Sequence, residues 1–167
     1  MDFDFADYTY SGLLGLFSAV IGMCYPLMIQ AIDRIDEKYQ VVRFVELFKE
    51  ETVYVRFQKL ILLAIGFAII APFALFVMKG FLWMQMFVLV CHTLVVLNLL
   101  LYVVRLYKLI LIYNDPSLFC KHLINKPEEC LLEFIDLAKY AAKRENINLY
   151  NSCMRRVYEL LSKDDEL

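Results

Sequence analysis

Charge is nearly absent from three long stretches of this sequence: residues 13–32 and 60–78 carry none, and 81–113 carries only Arg105 and Lys108. Glycine is scarce too, with five residues, all within or beside those stretches. That excludes a glycine loop cradling a phosphate, and neither a nucleophile elbow nor an HExxH helix occurs. No enzyme activity and no cofactor are therefore expected. The five cysteines are an odd number with no CxxC pair, which argues against a disulfide framework. Cys120, His122, Cys130 and Cys153 match no usual zinc spacing, so buried thiols on helix faces and a surface histidine are expected instead. Glu128, Glu129, Glu133 and Asp136 read as a solvated helix face.

An excess of either sign is missing as well. Seventeen basic and nineteen acidic residues leave a net charge of −2, and the tail from Arg105 has as many acids as bases. No nucleic-acid partner is expected. The first seven residues hold Asp2, Asp4 and Asp7 and no base, unlike a signal peptide, and Met23 before Cys24 is unlike a lipoprotein cleavage site; the segment is expected to be retained.

What is abundant is apolar surface. Hydrophobic residues make up 61% of the chain and aromatic residues 15%, against about 45 to 50% apolar in an average soluble domain. A chain of 167 residues has too little interior to hide that much from water. As a helix, 81–113 would be about 50 Å long, whereas a bilayer core is about 30 Å thick. The fold expected is therefore an all-α integral membrane protein: three transmembrane helices with a helical cytoplasmic stalk and tail.

The segments run in order. Residues 1–12 form a short extracytoplasmic amino terminus, with Tyr8 and Tyr10 placed for an interfacial belt. The first span is 13–32. Residues 33–59 form an amphipathic cytoplasmic stalk; from Ile32 at the end of the first span, Ile35, Tyr39, Val42, Val45 and Phe48 recur at helical spacing, so the first helix is expected to continue to about Phe48. The second span, 60–78, holds Pro72, where a bend is expected. A tight turn at 79–80 leads to the third span, 81–104, whose helix continues to about 113. The tail is 114–167. Every basic residue except Lys79 then falls on one side, which the positive-inside rule makes cytoplasmic, with the amino terminus outside, in a plasma (cell inner) membrane. The terminal Asp164-Asp165-Glu166-Leu167 would then be cytoplasmic, where a lumenal retrieval signal cannot be read.

Two patterns within the spans carry functional weight. Ser11, Gly15 and Ala19, with Ser18 and Gly22 on the next ridge, make a small-residue seam suited to close helix packing. In the third span Gln85 and His92 are one heptad apart, as are Cys91, Asn98 and Arg105, and a heptad turns a helix only about 20° from exact register. Polar groups in hydrocarbon turn toward a bundle interior, a cavity or each other. Gln85, His92 and Asn98 could line a path between copies, with Arg105 at its cytoplasmic end; the bland alternative is polar glue between helices.

In the tail, Asn114-Asp115-Pro116 and Lys126-Pro127-Glu128-Glu129 both read as helix starts. The first helix is expected to reach about Ile124. The second, running to about Arg144, should bury Leu131, Ile135, Ala138 and Ala142. The last, 147–162, should bury Tyr150, Cys153, Met154, Val157 and Leu161. Two such helices make a thin core alone, so they should pack on the stalk or on another copy. The function these features suggest is a self-associating homo-oligomeric membrane protein, pore-forming through its third helix, with a cytoplasmic assembly or sensing module. The alternative is a non-conducting anchor or scaffold that recruits a cytosolic protein partner to the lipid bilayer.

Overall fold

The computed structural model describes residues 3–77, 81–126 and 130–164. Among the described residues every regular element is a helix, seven in all: α1 (Phe3–Tyr39), α2 (Val42–Glu50), α3 (Thr52–Val77), α4 (Leu82–Asn114), α5 (Pro116–Ile124), α6 (Leu131–Lys143) and α7 (Ile147–Asp164). Helices α1, α3 and α4 are long and apolar enough to cross a membrane. The turn expected at 79–80, the start signal at 127–129 and the last three residues lie outside the described residues.

The chain forms two compact units. Met1–Ile29 with Glu51–Tyr107 make the first, and Gln30–Glu50 with Lys108–Leu167 the second. In the first unit, α1 buries Phe17, Cys24 and Met28, α3 buries Phe57, Ala64 and Ala71, and α4 buries Leu89, Val96 and Leu99. Tyr10, Ala71, Leu75 and Leu89 form one cluster, with Leu13, Leu14 and Val88 against it.

Proline interrupts two of these helices, Pro26 in α1 and Pro72 in α3. Lacking an N–H, a proline leaves the carbonyl four residues earlier without its donor. For Pro72 that carbonyl is Ala68, and the Tyr10 hydroxyl donates to it at 2.9 Å. Tyr10 is thus buried in the unit, where its hydroxyl replaces the hydrogen bond that proline removes. The side chain of Tyr8 lies outside the described residues.

The second unit is built on aromatic rings. Phe44 sits edge-on to Tyr39 at 5.1 Å and to Phe119 at 5.0 Å, Phe119 lies 4.6 Å from Tyr113, and Phe48 is 5.1 Å from Tyr113. Such pairs favour tilted and edge-to-face geometry because ring faces are negative and ring edges positive. The buried Tyr39 hydroxyl donates to the Tyr113 carbonyl at 2.9 Å. Lys38 Nζ donates to the Asn114 carbonyl. Arg43 pairs with Asp136 at 3.0 Å and lies 3.8 Å from Glu133. The stalk residues therefore close the core that α6 and α7 could not complete alone.

Three details differ from the periodicity reading. The stalk helix stops at Tyr39 rather than near Phe48, because Gln40 adopts φ 55 and its N–H turns back to the Asp36 carbonyl at 2.7 Å. Val42, beyond the break, is 68% exposed and leaves the expected stripe. On α6 the buried face is Phe134, Leu137, Ala138 and Ala141, leaving Leu131 and Ile135 half-buried and Ala142 exposed. On α7 it is Leu149, Cys153, Val157 and Leu160, so Tyr150 and Leu161 are exposed and Met154 is half-buried. Both helices carry adjacent apolar stripes, and the one that is covered is the one turned toward the packing of α5, α6 and α7 on one another.

The local signals hold where they are strongest. Asp115 caps α5, its Oδ1 accepting from the Ser117 and Leu118 N–H groups at 2.8 and 3.3 Å, with Pro116 in the first turn. The α6–α7 reversal is a Schellman motif: Glu145 at φ 54, its N–H on the Ala142 carbonyl and the Asn146 N–H on Ala141.

Candidate functional site

The inward face of α4 reads Gln85, Leu89, His92, Val96, Leu99 and Leu106 at helical spacing. Gln85 and His92 are the polar exceptions on it, 6% and 1% exposed. The His92 ring lies 5.5 Å from the Tyr10 ring and 6.3 Å from that of Phe67, tilted against both. Neither His92 Nδ1 nor Nε2 has a hydrogen-bond partner among the described residues. A buried imidazole so placed is costly, since an unmade buried hydrogen bond is worth about 1 to 3 kcal/mol.

Asn98 and Arg105 belong to a different side of α4. Six residues separate Asn98 from His92, a turn of about 120° away from the inward face. Asn98 is exposed and donates to the Leu94 carbonyl of its own helix at 2.9 Å, as Thr93 does to Leu89 at 2.8 Å. The structure thus brings Gln85 and His92 to one face and Asn98 and Arg105 to another. A single path lined by all of Gln85, His92 and Asn98 would need one surface that this helix does not offer.

Around Asn98 lies a groove of about 380 Å³, lined by Arg56, Lys59, Leu60, Leu63, Asn98 and Tyr102. Arg56 Nη1 donates to the Tyr102 hydroxyl at 3.4 Å, and the Arg105 guanidinium stands 5.0 Å from the centroid of the same ring. Periodicity isolates Arg105 but misses Arg56, Lys59 and Tyr102, because the signal is a meeting of two helix faces rather than a pattern on one.

The small-residue seam faces outward. Ser11, Gly15, Ser18, Ala19 and Gly22 are exposed in the single chain. A Cβ built on Gly15 or Gly22 would meet nothing within 4 Å, so neither glycine is required for packing inside the chain.

In the second unit Cys120 Sγ and Cys153 Sγ are 3.7 Å apart and buried. Their hydrogen bond holds the Cys120 thiol below the usual range and, with burial, pushes Cys153 well above it. Beside them opens a cavity of about 630 Å³ lined by Cys120, Lys121, Arg155 and Arg156 among others. Among the described residues no three of His, Cys, Asp and Glu gather as metal ligands. Comparison with protein-family models, curated proteins and solved structures found no match to this chain.

Proposed function

We propose that this chain is a multi-pass membrane protein of the plasma (cell inner) membrane that associates with copies of itself through α1 and holds its second unit, as an anchor or scaffold, at the cytoplasmic face. Insertion is supported by exposure. Only 17%, 17% and 22% of the most apolar windows of α1, α3 and α4 are buried within the chain. The remainder is exposed along three long helices, whereas a soluble monomer rarely exposes apolar surface beyond small patches.

The observation that carries self-association is the outward small-residue face of α1. Lipid gives helices no hydrophobic reason to associate, so close contact between backbones supplies the attraction. Gly15 and Gly22 leave room for such contact, and Pro26 takes from the Gly22 carbonyl its usual helical donor. The scaffold role is supported by α7: Ile147, Tyr150, Tyr158 and Leu161 form an exposed apolar stripe beside the buried one, room for a cytosolic partner.

Mass measurement in native lipid tests this. A defined oligomer that becomes monomeric in Gly15→Leu/Gly22→Leu, with helicity unchanged, is the expected result; a monomeric parent would overturn it. A second reading, conduction past His92, is favoured by that ring's unpartnered nitrogens. It predicts ion or proton flux in liposomes that His92→Leu abolishes.

A further inference from the structure

The groove between α3 and α4 joins features that one kind of ligand would satisfy together. Arg56 and Lys59 stand just before the apolar run of α3, and Tyr102 and Arg105 at the end of the apolar run of α4. The two helices are consecutive, and they meet at these ends through the Arg56–Tyr102 hydrogen bond. In a bilayer these residues would therefore share one headgroup layer, whichever way round the chain inserts.

Three cations gather there without counter-charge. Among the described residues Arg56, Lys59 and Arg105 form no ion pair with a carboxylate. Two of them converge on one tyrosine, Arg56 on its hydroxyl and Arg105 on its ring. Like charges brought together where the dielectric falls repel each other unless an anion lies between them. A guanidinium offers planar, paired donors that fit the oxygens of a phosphodiester, and a lysine adds a point charge. One turn deeper the groove changes character: Leu60 and Leu63 line it beside the Asn98 amide, which suits the glycerol ester region and the start of an acyl chain.

We infer that Arg56, Lys59, Tyr102 and Arg105 form a binding site for the phosphodiester of an anionic phospholipid, with Leu60 and Leu63 receiving its acyl chain. The site discriminates by charge. A zwitterionic headgroup brings its own cation into a cluster of three, whereas a glycerol headgroup brings none. Basic groups at an anionic leaflet act roughly additively, so a preference of about tenfold for phosphatidylglycerol over phosphatidylcholine is expected. The inference requires the membrane reading alone and is indifferent to whether copies associate.

The experiment uses the full chain purified in detergent and exposed to equimolar phosphatidylglycerol and phosphatidylcholine, with retained lipid read by native mass spectrometry and melting temperature followed alongside. The parent chain should retain phosphatidylglycerol preferentially and melt higher with it. Arg56→Gln/Arg105→Gln should lose both effects. Arg56→Lys/Arg105→Lys should keep the charge preference at reduced strength, and Lys121→Gln/Arg155→Gln, in the second unit, should behave as the parent. All the substituted side chains are exposed, so the core is untouched; should the glutamine pair still misfold, Lys59→Gln alone must lower the preference. Equal retention of the two lipids, or a folded glutamine variant that retains phosphatidylglycerol as the parent does, overturns the site. Inorganic phosphate in a parallel arm separates the sources: if it raises the melting temperature and displaces the lipid, the groove is a general anion site and the lipid assignment is wrong.

Discussion

Replacing His92 with leucine should stabilise the first unit. The ring is 1% exposed, surrounded by apolar side chains, and neither nitrogen is hydrogen-bonded among the described residues. In its neutral form the imidazole has one donor and one acceptor, and leaving such groups unmade in a buried place costs about 1 to 3 kcal/mol. Leucine removes both and fills a similar volume. Against this stand the ring contacts with Tyr10 and Phe67, worth about 0.5 to 1.5 kcal/mol per aromatic pair. In a membrane, the separated helices also leave the imidazole in lipid, which trims the gain further. The net expectation is a gain of about 1 kcal/mol, or roughly fivefold in the unfolding equilibrium. Unfolding in mixed micelles, followed by circular dichroism as denaturing detergent is titrated, measures it directly. A loss of about 2 kcal/mol in His92→Leu, restored by His92→Gln, would refute the reasoning. It would mean that His92 makes hydrogen bonds in the membrane, as the conducting reading requires.

Two predictions concern the second unit. Tyr39→Phe removes the hydroxyl that donates to the Tyr113 carbonyl and should cost about 1 to 2 kcal/mol, read as a lower denaturation midpoint; Phe44→Ala, which empties the centre of the ring cluster, should cost about 3 to 5 kcal/mol. The thiol pair should titrate unequally. Because the hydrogen bond between the two thiols lowers Cys120 and raises Cys153, Cys120 forms thiolate at lower pH than its neighbour, and Cys153→Ala should move the Cys120 alkylation profile to higher pH in peptide mass mapping. An unmoved profile would show that the thiols do not interact.

What could be read in advance followed from long-range uniformity or strong local chemistry. Three runs with almost no charge give three long apolar helices because no other element satisfies so much backbone among so few polar side chains. Asp115-Pro116 starts α5 because a cap and a first-turn proline act within four residues. Choices settled by distant partners were not legible. Tyr150 and Leu161 stand next to Leu149 and Leu160 on α7, and which pair is covered depends on where the helix packs against α6 and α5. The Tyr10 hydroxyl finds Ala68 only once α1 crosses α3. The heptad rule grouped Gln85 with His92 on one face, yet pooling Asn98 with them ignored a turn of about 120°. The groove beside Asn98 stayed hidden for the same reason as the Tyr10 contact, since Arg56 and Tyr102 are 46 positions apart.

The two backbone reversals of the second unit give a further test, because each places a residue with a Cβ in the left-handed region. Gln40 has φ 55 and Glu145 φ 54, a conformation that costs about 1 to 2 kcal/mol for most L-residues and little for glycine. Glycine also loses more freedom on folding, which returns about 0.4 to 1 kcal/mol of that gain. At Glu145 the balance is clean: the residue occupies the position after the cap where glycine is favoured, and its side chain is exposed. Glu145→Gly should therefore stabilise by about 0.5 to 1 kcal/mol, whereas Glu145→Val, β-branched, should cost more than 1 kcal/mol. At Gln40 the gain is smaller, because glycine discards the amide oxygen that accepts from Lys143 Nζ at 3.4 Å. Amide hydrogen exchange of the α6 and α7 backbone in the full chain reads the first effect locally. Slower exchange in the glycine variant and faster exchange in the valine variant are required. The opposite order would mean that Glu145 is held left-handed by its side chain, and that the reversal owes its stability to a contact of the carboxylate rather than to the hydrogen bonds of Glu145 and Asn146.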